Sequence, residues 1–425
     1  MKVTVGGNVT MLSRRRLLQA SAGAVPAIAL GTRPAWAAAA EPLTTGVVPS
    51  SMAGFDQAMK TFITERDISC AQLAVAKNGK ILLARGYGVY TKPGALVRVQ
   101  PTSLFRIASL SKSLTAAAIV RLVQDGKLTL GAKVASLLGL STTADPRLAN
   151  VTLWRLLQHL GGWDSAVSKD PLFNDYTIST SLGVPLPIDH DDMIKYVTAR
   201  KLDYDPGTKY AYSNYGYMLA GRIIEKVSGM SYESYVRQKL LAPVGITRPR
   251  LGRSLRAEAF STEVTYTSKL TGKSVVDQSG AVVPLPYGGF NLPNMDANGG
   301  WVASAVDMVK WGFVFNAAGP VLNSTSLSRI FAKPETGVTG NGSWYGLGWN
   351  VRTNNVGGLN TWHTGSLPGT FSFLARVQNG VSYCAIFNRR EETGSPDFDS
   401  IDPILGEAIG TVKTWPTTDL TSKYF

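Results

Sequence analysis

Two side chains three residues apart carry the first chemical signal in this chain. Ser109 and Lys112 lie in the stretch Phe105-Arg106-Ile107-Ala108-Ser109-Leu110-Ser111-Lys112. At that spacing two residues share one helical face, about a turn apart. A hydroxyl beside an amine is a nucleophile with its base in reach. An ordinary lysine titrates near ~10.4, so it serves as a base only where burial lowers that value. The following residues, Ser113 to Gly126, are apolar on nearly every side, which places a helix there in a core. Gly126 is suited to end it. A serine at a helix start is also an ordinary cap, so the pair needs support from the rest of the chain.

The elements that position the pair can be read in outline. Phe55 to Arg66 suggests a helix, and Cys70–Lys77, the turn Asn78-Gly79 and Lys80–Tyr87 form a hairpin signal. The helix of Ser109 follows at about 109–125, then helix-like Val134–Leu138 and Leu153–Leu157. Residues 165–190 are rich in loop signals. A helix near 190–200 leads to Asp205-Pro-Gly207. Tyr212-Ser-Asn214 feeds an amphipathic helix, Tyr215–Val227, with another at about 231–240. Asn298-Gly-Gly-Trp301 precedes a helix to about Phe315. Strands Asn360–Thr364, Thr370–Gln378 and Val381–Asn388 form a meander, and a helix near 401–412 closes the pattern. The expected architecture is an α+β fold, an α/β sandwich. One antiparallel sheet is assembled from both ends of the chain, and a mostly helical lobe, about 110–300, is inserted between. The expected boundaries are a linker at 38–50, one domain at 51–415 and a tail at 416–425.

Composition narrows the functional classes. The chain has 425 residues, 44% hydrophobic and 17% charged, with a net charge of +14. Five basic residues and no acid fall in residues 1–37, where Ser13-Arg-Arg-Arg-Leu-Leu-Gln19 resembles a twin-arginine export signal. An apolar run, Leu17 to Leu30, and a small-residue site at Ala35-Trp36-Ala37 complete that pattern. The run is shorter than the ~20 residues a spanning helix needs, so no stable membrane anchor is expected. The expected location is periplasmic or secreted. The remaining chain carries about +9 (38 basic against 29 acidic residues), with no basic run of five and no nucleic-acid motif, so no nucleic-acid partner is expected. Cys70 and Cys384 both lie in strand-like runs and read as buried free thiols. Three histidines, His159, His190 and His363, without H-E-x-x-H or a Cys cluster give no zinc signal, and no metal or cofactor is expected. The absence of G-x-S-x-G argues against an α/β-hydrolase.

Three short motifs occur in one order: Ser109-x-x-Lys112, Tyr212-Ser-Asn214 and His363-Thr-Gly365. With Gln124-Asp-Gly-Lys-Leu128, Asp205-Pro-Gly207 and Gly299-Gly-Trp-Val-Ala-Ser-Ala305, the chain resembles the serine β-lactamase and penicillin-binding-protein superfamily over residues 50–412. It is most similar to the branch of class C β-lactamases, D-Ala-D-Ala carboxypeptidases, D-aminopeptidases and related carboxylesterases. The resemblance implies Ser109 as nucleophile, Lys112 as base and Tyr212 as a second proton carrier above the serine. It implies an oxyanion hole made by the N–H groups of Ser109 and Ser366. His363, Thr364 and Gly365 are then expected to hold substrate, and Asn214 to bond the acyl side of the substrate or to hold Lys112. His363 stands where β-lactamases commonly have lysine, which weakens a claim on β-lactams; a carboxylate substrate is expected to bind less well as pH rises through about 6 to 7. The loop His159-Leu-Gly-Gly-Trp163 departs from the family's usual H-x-S-G. Trp163 and Trp301, with Trp344 and Trp362, are candidates for an aromatic wall. The expected function is an exported serine hydrolase that cleaves a small ester, amide or peptide through an acyl-enzyme. An esterase or D-amino-acid peptidase/amidase is favoured; the alternatives are a β-lactamase and a penicillin-binding sensor without turnover.

Overall fold

Strict alternation along the central strands builds the molecule as layers. In Cys70–Lys77, the side chains of Ala71, Leu73 and Val75 enter one core, while Cys70, Ala74 and Ala76 enter another. Val381–Phe387 repeats this, with Val381, Tyr383, Ala385 and Phe387 on one face and Cys384 and Ile386 on the other. Such a sheet is buried on both faces, which is why these strands read as nearly continuous apolar runs. The computed structural model describes residues 41–425 except 93, 355, 356, 378 and 395. The export segment 1–37 and the first residues of the 38–50 linker lie outside the described residues.

The sheet runs, edge to edge, through Thr44–Val47, Lys80–Lys92, Cys70–Lys77, Val381–Phe387, Thr370–Arg376, Leu359–Leu367, Asn350–Thr353 and Ser343–Tyr345, all antiparallel. Ala95–Arg98 pairs with the far end of Lys80–Lys92. Both ends of the chain therefore share one sheet, as expected. The turn Asn78-Gly79 has φ 51° and 78°, the left-handed pair a tight hairpin requires. Helices Ala53–Glu65 and Ile401–Thr411 cover one face. The helix Ala305–Phe313 lies on the other, and beyond it comes the inserted lobe. At the lobe's centre, eleven of the fourteen residues of Ser111–Gln124 are buried. Gly126, at φ 72°, ends that helix with Lys127 N–H bonded to Leu122 O at 2.9 Å.

Two expected boundaries need correction. Part of the expected linker is a strand, Thr44–Val47, registered on Ala84 to Tyr87. The expected tail packs onto the body: Leu420 is buried, its N–H bonds to Ile81 O at 2.8 Å, and Arg248 holds Tyr424 O at 2.5 Å. The inserted lobe is mostly helical, as expected, and also carries short strands. Trp301–Ala303 is a strand, pairing with Phe105–Arg106 on one side and Arg250–Leu251 on the other. The helix after it begins at Ala305, where Ser304 and Asp307 form a reciprocal cap. Cys70 and Cys384 are free and buried, as read from the sequence. Among the described residues no helix is long and apolar enough to cross a membrane. Nor does any group of three or more His, Cys, Asp or Glu side chains there form a metal site.

Candidate active site

Ser109 sits in a single 3₁₀ turn, Ala108–Leu110, that leads directly into Ser111–Gln124. It caps neither element, so the ordinary structural role for a serine here is vacant. The turn is strained on entry: Ala108 has φ 47°, a left-handed value that a side chain with a Cβ disfavours. Neighbouring backbone holds it there. Ile107 N–H bonds to Trp301 O at 3.0 Å, Ile107 O accepts from Ser372 Oγ at 2.8 Å, and Arg106 N–H bonds to Tyr266 Oη at 2.8 Å. The turn leads into the positive end of the helix dipole, next to Ser109.

Lys112 is wholly buried, with Nζ 3.0 Å from Ser109 Oγ, 2.7 Å from Asn214 Oδ1 and 2.9 Å from Asn298 O. Burial pulls its pKa down to about 7, with Asp170 acting weakly the other way. Near neutral pH a large share of Lys112 is therefore uncharged. A neutral amine has two N–H groups, and two of its three neighbours, Asn214 Oδ1 and Asn298 O, can only accept. They take both hydrogens, and the lone pair is left facing Ser109. That is the arrangement a general base needs.

Tyr212 lies on the other side of the serine. Its ring centroid lies 4.3 Å from that of His159, the planes tilted by 39°, and 4.7 Å from Lys112 Nζ. Burial raises its pKa well above 10, with a hydrogen bond to Ser109 acting in the opposite direction. The phenol stays protonated at neutral pH, so it is a donor, and Lys112 is the neighbour of Ser109 able to accept a proton. Asn214 opens the helix Asn214–Ser228, capped by Ser213 Oγ, which accepts from Gly216 N–H. Its other amide atom, Nδ2, donates to Asp170 Oδ2 at 2.6 Å. Below Tyr212, His159 at φ 61° accepts the Ser213 N–H on Nδ1 at 3.1 Å. Burial, Lys112 and His363 together hold His159 neutral.

The strand Leu359–Leu367 completes the site. Leu367 and Thr370 close the turn at Pro368-Gly369, so by strand alternation Ser366 and Phe371 point their backbone groups away from each other. The neighbouring strand Asn350–Thr353 ends at the pair Asn350–Trp362, so the Ser366 N–H faces an open edge. Gly365 allows this edge to approach the serine's turn: a Cβ there would fall 2.4 Å from Ile107 O and 2.3 Å from Ser372 Oγ. Ser366 is exposed and Thr364 half-buried beside it. Gly365 thus lets the strand that carries Ser366 pack directly on the turn that carries Ser109.

Two substrate-binding expectations are corrected. His363 is buried, and its Nδ1 lies 2.6 Å from Thr364 O, so Nδ1 carries the proton. Nε2 then accepts from Tyr345 Oη at 2.8 Å. Both ring nitrogens are occupied, and burial with the nearby Lys112 pushes the pKa down to about 3. His363 is therefore neutral throughout the physiological range and does not titrate between pH 6 and 7. The expected tryptophan wall is also absent. Trp301 is fully buried with Nε1 on Tyr232 Oη at 3.0 Å, and Trp344 donates to Phe331 O at 3.0 Å. Trp362 packs on the far face of the sheet. Trp163 lies against Tyr215 and borders a small pocket that Asp170 and Asn214 also line. The aromatic surroundings of the site are instead His159, Tyr210, Tyr212, Tyr217 and Tyr345. Tyr217, Tyr345 and Asp170 carry no motif of their own. Only their distances in space show them.

Residues 55–403 match the family model described as Beta-lactamase. The chain belongs to the beta-lactamase family. Among curated relatives of this beta-lactamase-family chain, the probable fimbrial assembly protein FimD, serogroup H1, of Dichelobacter nodosus is 36% identical over 132 residues, 31% of either chain. Protein flp of Staphylococcus aureus (strain COL) is 30% identical over 185 residues, 42% of this chain and 34% of that one. The matched stretch spans about a third of each of these relatives. Among solved structures, a D-amino acid amidase from Ochrobactrum anthropi SV3 superposes with a TM-score of 0.66 at 21% identity, covering 86% of this chain and 99% of that one. A class C beta-lactamase gives a TM-score of 0.66 at 17% identity, covering 86% and 97%. The octameric penicillin-binding protein homologue from Pyrococcus abyssi gives 0.64 at 23%, covering 87% and 79%. At these identities the likeness is one of fold.

Proposed function

We propose that this protein is a serine hydrolase that cleaves small esters or amides, D-amino-acid derivatives among them, through an acyl-enzyme on Ser109. The observation that carries this is the buried Lys112, with a pKa of about 7, 3.0 Å from Ser109 Oγ. Ser109 Oγ bonds to the substrate carbonyl carbon while its proton passes to Lys112 Nζ. The carbonyl oxygen becomes an anion held by the N–H groups of Ser109 and Ser366. The bond to the leaving group then breaks, and Tyr212 Oη–H supplies the proton that group needs. The charged Lys112 beside the Tyr212 ring returns a proton to the phenol. Water, activated by the same groups, attacks the ester on Ser109 and releases the acid.

Esters and D-amino-acid amides rank ahead of β-lactams because of His363. A buried neutral imidazole with both nitrogens occupied offers no charge to a substrate carboxylate. A fluorescent fluorophosphonate should label the protein, and p-nitrophenyl esters should turn over repeatedly. Both must vanish in Ser109→Ala. Hydrolysis that survives this substitution sinks the mechanism, and stable acylation without release marks a sensor. We also propose export by the twin-arginine route, from the pattern Arg14-Arg15-Arg16 to Ala37. N-terminal sequencing of the secreted form should begin at Ala38, and loss of export in Arg15→Lys/Arg16→Lys is the expected result.

A further inference from the structure

The direction of the Asn214 amide decides whether Lys112 can act as a base. If Nδ2 rather than Oδ1 faced Lys112, the amine's lone pair would be drawn to that N–H and away from Ser109. Lys112 itself cannot enforce the choice, because an amine can donate as well as accept. A group that only accepts must do so from the other side of the amide. Asp170 is that group: its Oδ2 lies 2.6 Å from Asn214 Nδ2. Its own orientation is also fixed. Oδ1 accepts the Leu172 N–H at 3.1 Å, capping the short turn Pro171–Phe173. The preceding Lys169 is held at φ 67°, an unfavourable value for a residue with a Cβ, and this delivers the carboxylate inward.

We propose that Asp170 is a positioning residue of this active site, which sets the Asn214 amide so that the Lys112 lone pair faces Ser109. This rests on the reading of Ser109 and Lys112 as nucleophile and base. Asp170 does not touch the reacting atoms; it acts through one amide. The other titratable groups facing Lys112 are His159, His363, Tyr212 and Tyr217. Burial keeps all four neutral near pH 7; Asp170 is the carboxyl group that Lys112 senses, its pKa raised by burial and drawn back down by the bonds from Asn214 and the Leu172 N–H and by Lys112.

Asp170→Asn tests the assignment, because the new side chain keeps the shape and the turn cap. With its oxygen on Leu172 N–H, its amide hydrogens face Asn214 and force that side chain to turn over. The expected result is a fall in kcat/KM for a p-nitrophenyl ester on the order of 100-fold, the scale of a lost general base. Slower fluorophosphonate labelling and a near-unchanged Tm should accompany it. The swapped pair Asp170→Asn/Asn214→Asp again presents an acceptor to Lys112. It should recover at least a tenfold share of the lost activity, with the acidic limb of its pH profile moved upward by the closer carboxylate. A purely structural cap predicts instead that Asp170→Asn is near wild type and that the swap only adds damage. If Asp170→Asn fails to fold, the swap must restore both folding and activity. Activity within threefold of wild type in the single variant, or no recovery in the swap, overturns the proposal. Hydrolysis that persists in Ser109→Ala would instead overturn the catalytic reading beneath it.

Discussion

Replacing Lys112 by methionine separates what the lysine does for chemistry from what it does to the fold. The amine titrates near 10.5 in the unfolded chain and at about 7 in the folded one. That gap is worth ~5 kcal/mol, at about 1.36 kcal/mol per unit. Between these values the unfolded chain holds a proton that the folded chain has released. Wild-type stability therefore rises with pH across the window, and the full penalty is present below pH 7. Methionine is of similar length and carries no charge, so it escapes the penalty. It also leaves Asn214 Oδ1 and Asn298 O without the donor they have at 2.7 and 2.9 Å. Each orphaned acceptor costs about 1–2 kcal/mol. The balance gives a variant about 2 kcal/mol more stable than wild type at pH 6 and about 2 kcal/mol less stable at pH 10. Denaturant unfolding of both proteins at fixed pH steps measures this, and the other titrating groups cancel in the difference. Esterase activity should be lost at every pH. A stability difference that stays flat from pH 6 to pH 10 would refute the buried, depressed amine.

The pH profile of kcat/KM should rise with a midpoint near pH 7, where Lys112 loses its proton; a limb that begins only above pH 9 would remove Lys112 as the base. For a substrate bearing a carboxylate, KM should show no inflection between pH 5 and 8 from His363, whose pKa is about 3; a drop in affinity through pH 6 to 7 would show a charged imidazole there. Gly365→Ala should lower kcat by roughly 10²–10³-fold by forcing the Ser366 edge away from the serine's turn, and a near-normal kcat would place the oxyanion elsewhere. Cys70, whose thiol burial pushes up to about 12, and Cys384 should resist a thiol reagent in the native protein and react on unfolding; rapid native labelling of either would contradict their burial.

Spacing made part of this site legible. Ser109 and Lys112 are one helical turn apart, so their contact follows from local geometry alone. The hairpin at Asn78-Gly79 and the alternating strands near the C-terminus were equally local. What the sequence could not show was environment. His363 stands in a readable motif, yet its neutrality depends on Tyr345 and on burial contributed by distant elements. Asp170 sits in a loop without a regular pattern, and its partner Asn214 is 44 residues away. Trp301 was read as a wall residue ahead of a helix because an aromatic is compatible with core and cleft alike. Its strand conformation comes from pairing with Phe105–Arg106 and Arg250–Leu251, which no window around it contains. The left-handed Ala108 was invisible for a different reason: an alanine rarely adopts that conformation, so its type argued against it.

The shared sheet has a consequence for the order of assembly. Cys70 N–H finds its partner in Asn388, 318 residues further along the chain, and the strand beside it arrives just before that. During synthesis, Ser109 and Lys112 emerge long before the strand that carries Ser366. Until then the turn that carries Ser109 lacks the strand Leu359–Leu367 that packs against it. Contacts this distant in sequence form slowly and leave apolar surface open to aggregation meanwhile. The nascent chain therefore cannot bring Ser366 beside Ser109 early, and the proposed acyl transfer can begin only when synthesis of the fold is nearly complete.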